Sequence, residues 1–296
     1  MATRKAALHP TWQPLSVRRT GSAAPEIPLV DGVPDYLLEP IVHWLASYDK
    51  TALYARVALI FRVKYERPYR DAMNSVHLSG PHPSVGRARE FLRVIAAAQG
   101  GGAGILDALD MILHETDDES GPDRELLDQL LSDSGSLFRV AADGKGLEER
   151  TTETARHAFT RSVSHGGAAA DHLRDAWRHA YGRNPNASKA YSDAIKAIES
   201  ATIPVVSPSN KKATLGTVIG EISSDISRFN FAITNTTQPA VETIVQLMRM
   251  VWEGQRDRHG SATPRVAPSL GAARTAVSAA VALVEWFATG AITRSP

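Results

Sequence analysis

The chain has 296 residues, of which 43% are apolar, so it is long enough and apolar enough to bury a hydrophobic core. Lys and Arg number 33 against 32 Asp and Glu, and the formal net charge of +1 gives no global field that would draw the protein to nucleic acid or to anionic lipid. The lack of cysteine excludes a disulfide framework, a thiol nucleophile and a thiolate metal site.

Residues 1–34 predict a flexible arm. They contain five prolines and little apolar periodicity, and four basic residues precede the first acidic one. The start of the chain lacks the apolar stretch of a signal peptide, and no later segment has about 18 continuous apolar residues. We therefore expect a cytoplasmic protein that does not contact a membrane.

Residues 35–135 predict a helical N-terminal domain. Apolar residues recur there every three or four positions, which is the spacing of one helix face. The pattern predicts two helices over 36–63, interrupted at the polar stretch 47–50, and further helices over 85–98 and 105–113. The acidic stretch 115–123 is predicted to be a loop.

Residues 136–152 break the helical pattern and predict one small β-hairpin. Residues 137–140 favour a strand, Asp143 followed by Gly144 is a tight-turn signal, and residues 147–151 return as the second arm. Because an isolated hairpin is only marginally stable in water, it should pack on the helices around it.

Residues 153–296 predict a second helical domain, so the expected fold class is all-α with one small hairpin between two helical domains. The predicted helices cover 168–181, 190–201, 215–231, 241–252 and 271–289. Ser188 is the expected N-cap of the second of these helices, and Gly254 ends the fourth. The stretch QRDRHG, residues 255–260, then joins the two final helices.

Three segments of this second domain carry a resemblance to a known family. They are HLRDAWRHAYGRNPNASKAYSDAIKAIES at 172–200, ATLGTVIG at 213–220, and RHG at 258–260 followed by an Ala-rich helix. Together they resemble the C-terminal domain of bacterial abortive-infection proteins, which is similar to the HEPN superfamily of small helical bundles. Many HEPN proteins are metal-independent ribonucleases and commonly pair, so the resemblance implies a HEPN-like bundle over 153–296, RNA as a partner, a homodimer, and no cofactor or metal.

The resemblance makes His259 the candidate proton-transfer residue and Arg256 and Arg258 the candidate phosphate contacts. RNA cleavage without a metal needs a base for the 2′-hydroxyl, an acid for the leaving oxygen, and positive charge on the transition state. Histidine can transfer protons near neutral pH, and arginine binds phosphate oxygens through paired N–H groups. In catalytic HEPN proteins four to six residues separate the Arg from the His, whereas two separate Arg256 from His259. QRDRHG is therefore either an active site or a polar loop with a local salt bridge.

Asp193, Lys196 and Glu199 recur at every third position of one predicted helix, so Lys196 can reach both acids on the helix surface. The resemblance makes these three residues candidate binding residues that line the same site. The alternative is an exposed ladder of ion pairs.

A series of histidines in the second domain invites a metal assignment. His165, His172 and His179 recur every seven residues. Two helical turns separate neighbours by roughly 10 Å along the axis, which is too far for a shared ion. The sequence therefore predicts no metal site.

Besides a phage-encoded or housekeeping scaffold, which the sequence also allows, two functions remain open at this point. One is an antiphage defence protein of the abortive-infection type that cleaves RNA as a metal-independent endoribonuclease. The other is a noncatalytic helical module that dimerises or holds RNA or a protein partner, while the N-terminal domain senses the trigger. Trp286 and Phe287 of the last helix are either a dimer contact or part of the core.

Overall fold

The computed structural model describes residues 5–6, 27–48, 51–65, 83–116, 121–234, 240–255 and 267–295. Helices dominate these ranges, which confirms the mainly helical fold class. Three short antiparallel strand pairs accompany the helices, where the sequence predicted one. The chain divides into two compact units, Met1–Arg150 and Thr151–Pro296, and each has its own hydrophobic core.

The described part of the N-terminal unit contains five helices, and the first four confirm the predicted ones. Their apolar faces meet in a core that includes the stacked rings of Tyr54 and Phe91, whose centroids are 4.9 Å apart. The helices are α1 Asp35–Tyr48, α2 Thr51–Ile60, α3 Pro83–Ala98, α4 Gly102–His114 and α5 Arg124–Asp133.

Helix α5 is missing from the predictions, although its sequence carries the usual signals. Asp123 caps it by accepting a hydrogen bond from the backbone N–H of Leu126 at 2.9 Å. Leu127 and Leu131, one turn apart, are fully buried. An Asp followed by leucines at a spacing of four is the pattern that would have located this helix.

The predicted hairpin is confirmed, and it belongs to the N-terminal unit. Gly144 adopts the positive φ, 70°, that the turn requires. The hairpin packs on helices α4 and α5, because Asp110 accepts a hydrogen bond from the N–H of Leu147 at 2.6 Å and Asp128 accepts one from the N–H of Val140 at 2.9 Å. Its strands are β3 Phe138–Val140 and β4 Leu147–Glu149.

Parts of the predicted arm form backbone hydrogen bonds, with each other and with the rest of this unit. Strand β1, Lys5–Ala6, pairs with β2, Ile27–Pro28. The backbone of Val30 bonds to that of Gly135 and Leu137, at 2.9 and 2.8 Å. The rest of the arm, 1–4 and 7–26, lies outside the described residues.

The C-terminal unit has six α-helices within the described ranges. Helix α8 packs against both α7 and α11, and α9 packs against α8 and α10. All six except α6 were predicted, and Thr152, which caps α6 by accepting from the N–H of Ala155, was its sequence signal. The helices are α6 Glu153–Ser164, α7 Gly167–Tyr181, α8 Ala187–Val206, α9 Leu215–Ser224, α10 Ala240–Gly254 and α11 Leu270–Ala288.

Both predicted ends of helix α8 are wrong. Its N-cap is Asn186, whose side chain accepts from the N–H of Lys189 at 3.0 Å, and not Ser188. The helix also continues past residue 201 and through Pro204. Thr202 and Val206 are buried in the core, and this packing holds the last turn in spite of the proline.

The predicted helix over 215–231 is wrong beyond residue 224. Residues Ile226–Arg228 form one 3₁₀ turn, and Phe229–Phe231 forms strand β5. This strand pairs with β6, Ile292–Arg294, at the far end of the unit's sequence. The spacing of the apolar residues favours a helix here, but pairing with β6 decides the structure. The backbone N–H and C=O groups that a helix would bond internally are bonded to the distant strand instead.

Helix α11 is, within the described residues, the one helix that is long and apolar enough to cross a membrane by length and composition alone. It contains Arg274 and Glu285, and much of its surface is packed in the core of the C-terminal unit. Phe287 is buried, and the ring of Trp286 packs on that of Phe231 with centroids 5.4 Å apart. Of the two alternatives for these aromatic residues, the structure supports the core.

Candidate functional site

The three predicted catalytic residues, Arg256, Arg258 and His259, lie outside the described residues. The structure does describe the residues on both sides of the segment 256–266. Gln255, directly before it, is buried at 8% exposure. Ser269, after it, caps helix α11 by accepting from the N–H of Ala272 at 3.1 Å.

The end of helix α10, just before the loop, is held against α8 and α9. Tyr191 of α8 donates a hydrogen bond from its hydroxyl to the carbonyl oxygen of Val251 at 3.0 Å. Any side chain at Gly254 would collide with that hydroxyl. At Gly216 of α9, an added Cβ would lie 3.0 Å from the indole of Trp252. Glycine at both positions therefore permits the close approach of the three helices.

The start of helix α11, just after the loop, is held against the end of α7. Arg274 donates from Nε to the carbonyl oxygen of Ala180 at 3.0 Å, and its guanidinium lies over the ring of Tyr181 at 4.9 Å from the centroid. Helix α8 begins a few residues after α7 ends. The residues on both sides of the segment 256–266 thus lie at one end of the bundle, where α7 ends and α8 begins.

Asp193 is the centre of a polar network at this end of the bundle. Its carboxylate pairs with Nδ1 of His179 at 3.1 Å and with Nζ of Lys196 at 2.8 Å. The side chain of Asp193 is 13% exposed, against 28% for His179 and 49% for Lys196. Two predicted binding residues are therefore in contact, and the imidazole of His179, which pairs with Asp193, was not predicted.

Glu199, the third predicted binding residue, has a different partner. Its Oε1 accepts a hydrogen bond from the backbone N–H of Leu215 at 2.7 Å, at the first residue of helix α9. A carboxylate is favoured there by the unpaired N–H groups and the dipole of a helix N-terminus. The predicted ladder of ion pairs therefore holds for Lys196 with Asp193, whereas Glu199 joins α8 to α9.

Several basic residues lie in the chain next to this network. Between residues 178 and 196 there are four Lys or Arg against the single carboxylate of Asp193. Arg178 is paired with Asp175 at 2.9 Å, and Lys189 and Lys196 are exposed. Two of the four are neutralised locally, because Arg178 pairs with Asp175 and Lys196 with Asp193.

The histidine series is distributed over separate partners. His179 pairs with Asp193, whereas Nε2 of His165 lies 3.0 Å from the carboxylate of Glu285. Within the described ranges no three His, Asp or Glu side chains are arranged to hold a metal ion. His179 and His165 each serve a carboxylate of their own.

Sequence reasoning missed His179, Tyr191 and Arg274 as parts of this site. In the sequence, His179 stood out only as one of three histidines spaced seven residues apart. It also lies next to the apolar positions of α7, which was the other sign that it could have a buried partner. Tyr191 and Arg274 lie in the expected helices, but their partners are 60 and 94 residues away in the chain. No local pattern specifies contacts of that range.

No family model matches the chain, and no curated protein or solved structure shows a significant match to it. Its function therefore has to be inferred from its own residues and their geometry.

Proposed function

We propose that the protein is an antiphage defence protein of the abortive-infection type, whose C-terminal unit is a HEPN-like bundle that cleaves RNA without a metal. His259 transfers a proton during cleavage, and one of Arg256 and Arg258 binds the scissile phosphate. Lys196 and Asp193 line the same end of the bundle. The protein acts in the cytoplasm, and the bundle pairs as a homodimer, as the resemblance implies.

The observation that carries the proposal is the contact between the two segments on which the resemblance mainly rests. Glu199, at the end of A-I-K-A-I-E, accepts the hydrogen bond from Leu215 of T-L-G at 2.7 Å. Gly216 of the same segment lies against Trp252, three residues before QRDRHG begins. The segments are thus adjacent in space, as parts of one functional site would be.

Charge and chemistry at this end of the bundle also favour an RNA substrate. The cations of the α7 and α8 ends suit a phosphate backbone, and His179 and Asp193 add a group capable of proton transfer. His259 and the two arginines come from a loop whose flanks are fixed at the same end.

The test is cleavage of RNA by the purified full chain in the presence of EDTA. We expect the wild type to cleave and His259→Ala to lose activity while its melting temperature stays the same, because a histidine in this polar loop contributes little packing. Of Arg256→Ala and Arg258→Ala, one should lose about 2–4 kcal/mol of transition-state stabilisation, the scale of one lost oxyanion donor, and the other little.

The matched control is His157→Ala, because His157 is an exposed histidine of α6, 78% exposed, and should be dispensable. Overexpression of the wild type, but not of His259→Ala, should arrest growth. A wild type that leaves RNA intact with and without added metal would contradict the ribonuclease.

The noncatalytic module is the second candidate, and the exposed cations Lys189 and Lys196 favour it, since they would bind phosphates with or without chemistry. It is the outcome if the wild type and His259→Ala bind RNA equally and neither cleaves it.

A further inference from the structure

A groove lies between helices α6 and α11 of the C-terminal unit, and Trp177 of α7 lines its inner side. It encloses about 280 Å³, which is close to the lower limit of the volumes of small-molecule sites. Small side chains leave this space open, because Ala158 of α6 and Ala282 of α11 line the groove at positions where larger residues would fill it. The groove is therefore a cavity of ligand size within one unit.

Two tryptophans line the groove, and both are held in place by other aromatic rings. Trp177 is only 4% exposed and stacks on Phe159, with ring centroids 4.3 Å apart. Trp286 packs on Phe231. Rings that are already fixed offer flat apolar surface to a planar ligand and lose little conformational entropy when it binds. The apolar part of the groove thus suits an aromatic body.

Arg161 and Glu285 are the two charged residues among the described residues that line the groove. Nε of Arg161 lies 2.8 Å from Oε1 of Glu285, and Nε2 of His165 lies 3.0 Å from Oε2. Both oxygens of Glu285 already face a partner, so a cationic ligand would have to displace one of them. The Arg161 side chain has no other polar contact within the described part of the chain. Its two Nη groups are therefore available to an anionic ligand.

Glu285 also restrains the guanidinium of Arg161. The carboxylate is largely buried, and His165 holds it from the other side. The remaining N–H groups of a restrained guanidinium match the two oxygens of a carboxylate. We propose that the groove binds a small aromatic carboxylate, whose rings lie against Trp177 and Trp286 and whose carboxylate pairs with the Nη groups of Arg161.

This binding site is independent of the proposed ribonuclease. Asp193 and Lys196, which the ribonuclease proposal uses, do not line the groove. The ligand is a small organic acid rather than a nucleic acid, and its binding requires no chemical step. The test therefore measures affinity, and its result does not depend on whether the protein cleaves RNA.

The experiment is isothermal titration calorimetry of the full chain with naphthoate, and with naphthamide as an uncharged probe of the same shape. We expect naphthoate to bind at least about tenfold more tightly, because only the acid forms a charge-assisted pair with Arg161. Arg161→Gln should weaken the binding of naphthoate by about 10–100-fold and leave that of naphthamide unchanged. The matched control is Arg156→Gln, since Arg156 lies on the same helix, pairs with Glu153 and does not line the groove.

A second variant, Ala155→Leu, blocks the space itself. Ala155 is exposed and lines the groove, so the variant should keep the melting temperature of the wild type while both probes bind at least about tenfold more weakly. The proposal is overturned if naphthoate does not bind the wild type at millimolar concentration, or binds no more tightly than naphthamide. It is also overturned if Arg161→Gln or Ala155→Leu keeps the wild-type affinity for naphthoate.

Discussion

The two units use their partly buried carboxylates differently. In the N-terminal unit, Asp110 and Asp128 accept hydrogen bonds from the backbone of the hairpin, at 2.6 and 2.9 Å. In the C-terminal unit, Asp193 pairs with the imidazole of His179. A carboxylate bonded to backbone N–H groups supports structure alone, whereas one bonded to an imidazole also orients a group that can carry a proton. Of the carboxylates compared here, the one in contact with an imidazole lies in the C-terminal unit.

The largest expected effect comes from substitutions in the two hydrophobic cores, which test whether the two units unfold independently. Leu109 and Leu283 are both fully buried, one in each core, and truncation to Ala should cost about 2–5 kcal/mol of unfolding free energy in each case. Because each unit has its own core, Leu109→Ala should accelerate amide hydrogen exchange in α1–α5, and Leu283→Ala in α6–α11. Exchange that rises equally in both units with either variant would mean that they unfold as one.

Glu199 sharpens the comparison, because it lies in the C-terminal unit but its carboxylate accepts a hydrogen bond from a backbone N–H, as Asp110 and Asp128 do in the N-terminal unit. Glu199→Ala removes the acceptor for the N–H of Leu215 and should cost about 0.5–2 kcal/mol, with faster exchange in the first turn of α9. Glu199→Gln keeps an oxygen acceptor and is the matched control. Equal losses in a denaturant titration of the two variants would show that the negative charge at the helix end, rather than the hydrogen bond, is what matters.

The smallest expected effect concerns the surface pair Glu39 and Arg89, which joins α1 to α3 in the N-terminal unit. The hydrogen bond from Arg89 lowers the pKa of Glu39 from its ordinary value of 4.5. The pair therefore stabilises the unit above the ordinary pKa, and this stabilisation is lost as the pH falls through the lowered value. Glu39→Gln should reduce the melting temperature by about one or two degrees at pH 7, because an ion pair between exposed side chains stabilises little, and by less at pH 2, because protonation of Glu39 removes the ion pair. A reduction of the same size at both pH values would point to side-chain packing instead of charge.

Much of the fold could be predicted because its signals are local. The helices between residues 36 and 113 follow from apolar spacing, and the hairpin from Asp143 and Gly144. The omissions, α5 and α6, carry ordinary N-caps at Asp123 and Thr152 and were open to prediction.

Only part of the candidate site could be predicted from the sequence, namely Asp193, Lys196 and Glu199, and most of its contacts could not. The spacing of Asp193, Lys196 and Glu199 gave one contact, because residues three apart on a helix are neighbours. The partners His179 and Leu215 come from other helices. Their choice depends on how α7 and α9 pack on α8, and helix periodicity within α8 carries no information about that packing.

The sequence by itself determined where most helices form and where α10 stops, at Gly254, because those events depend on residues within one or two turns of each other. Tertiary structure decided that α8 continues through Pro204 and that residues 229–231 leave the helix to pair with 292–294. It also decided that the carboxylate of Asp193 meets an imidazole. In each of these cases the deciding partner is a distant segment, and burial and hydrogen bonding with that partner outweigh a local preference of a few tenths of a kcal/mol to about 1 kcal/mol per residue.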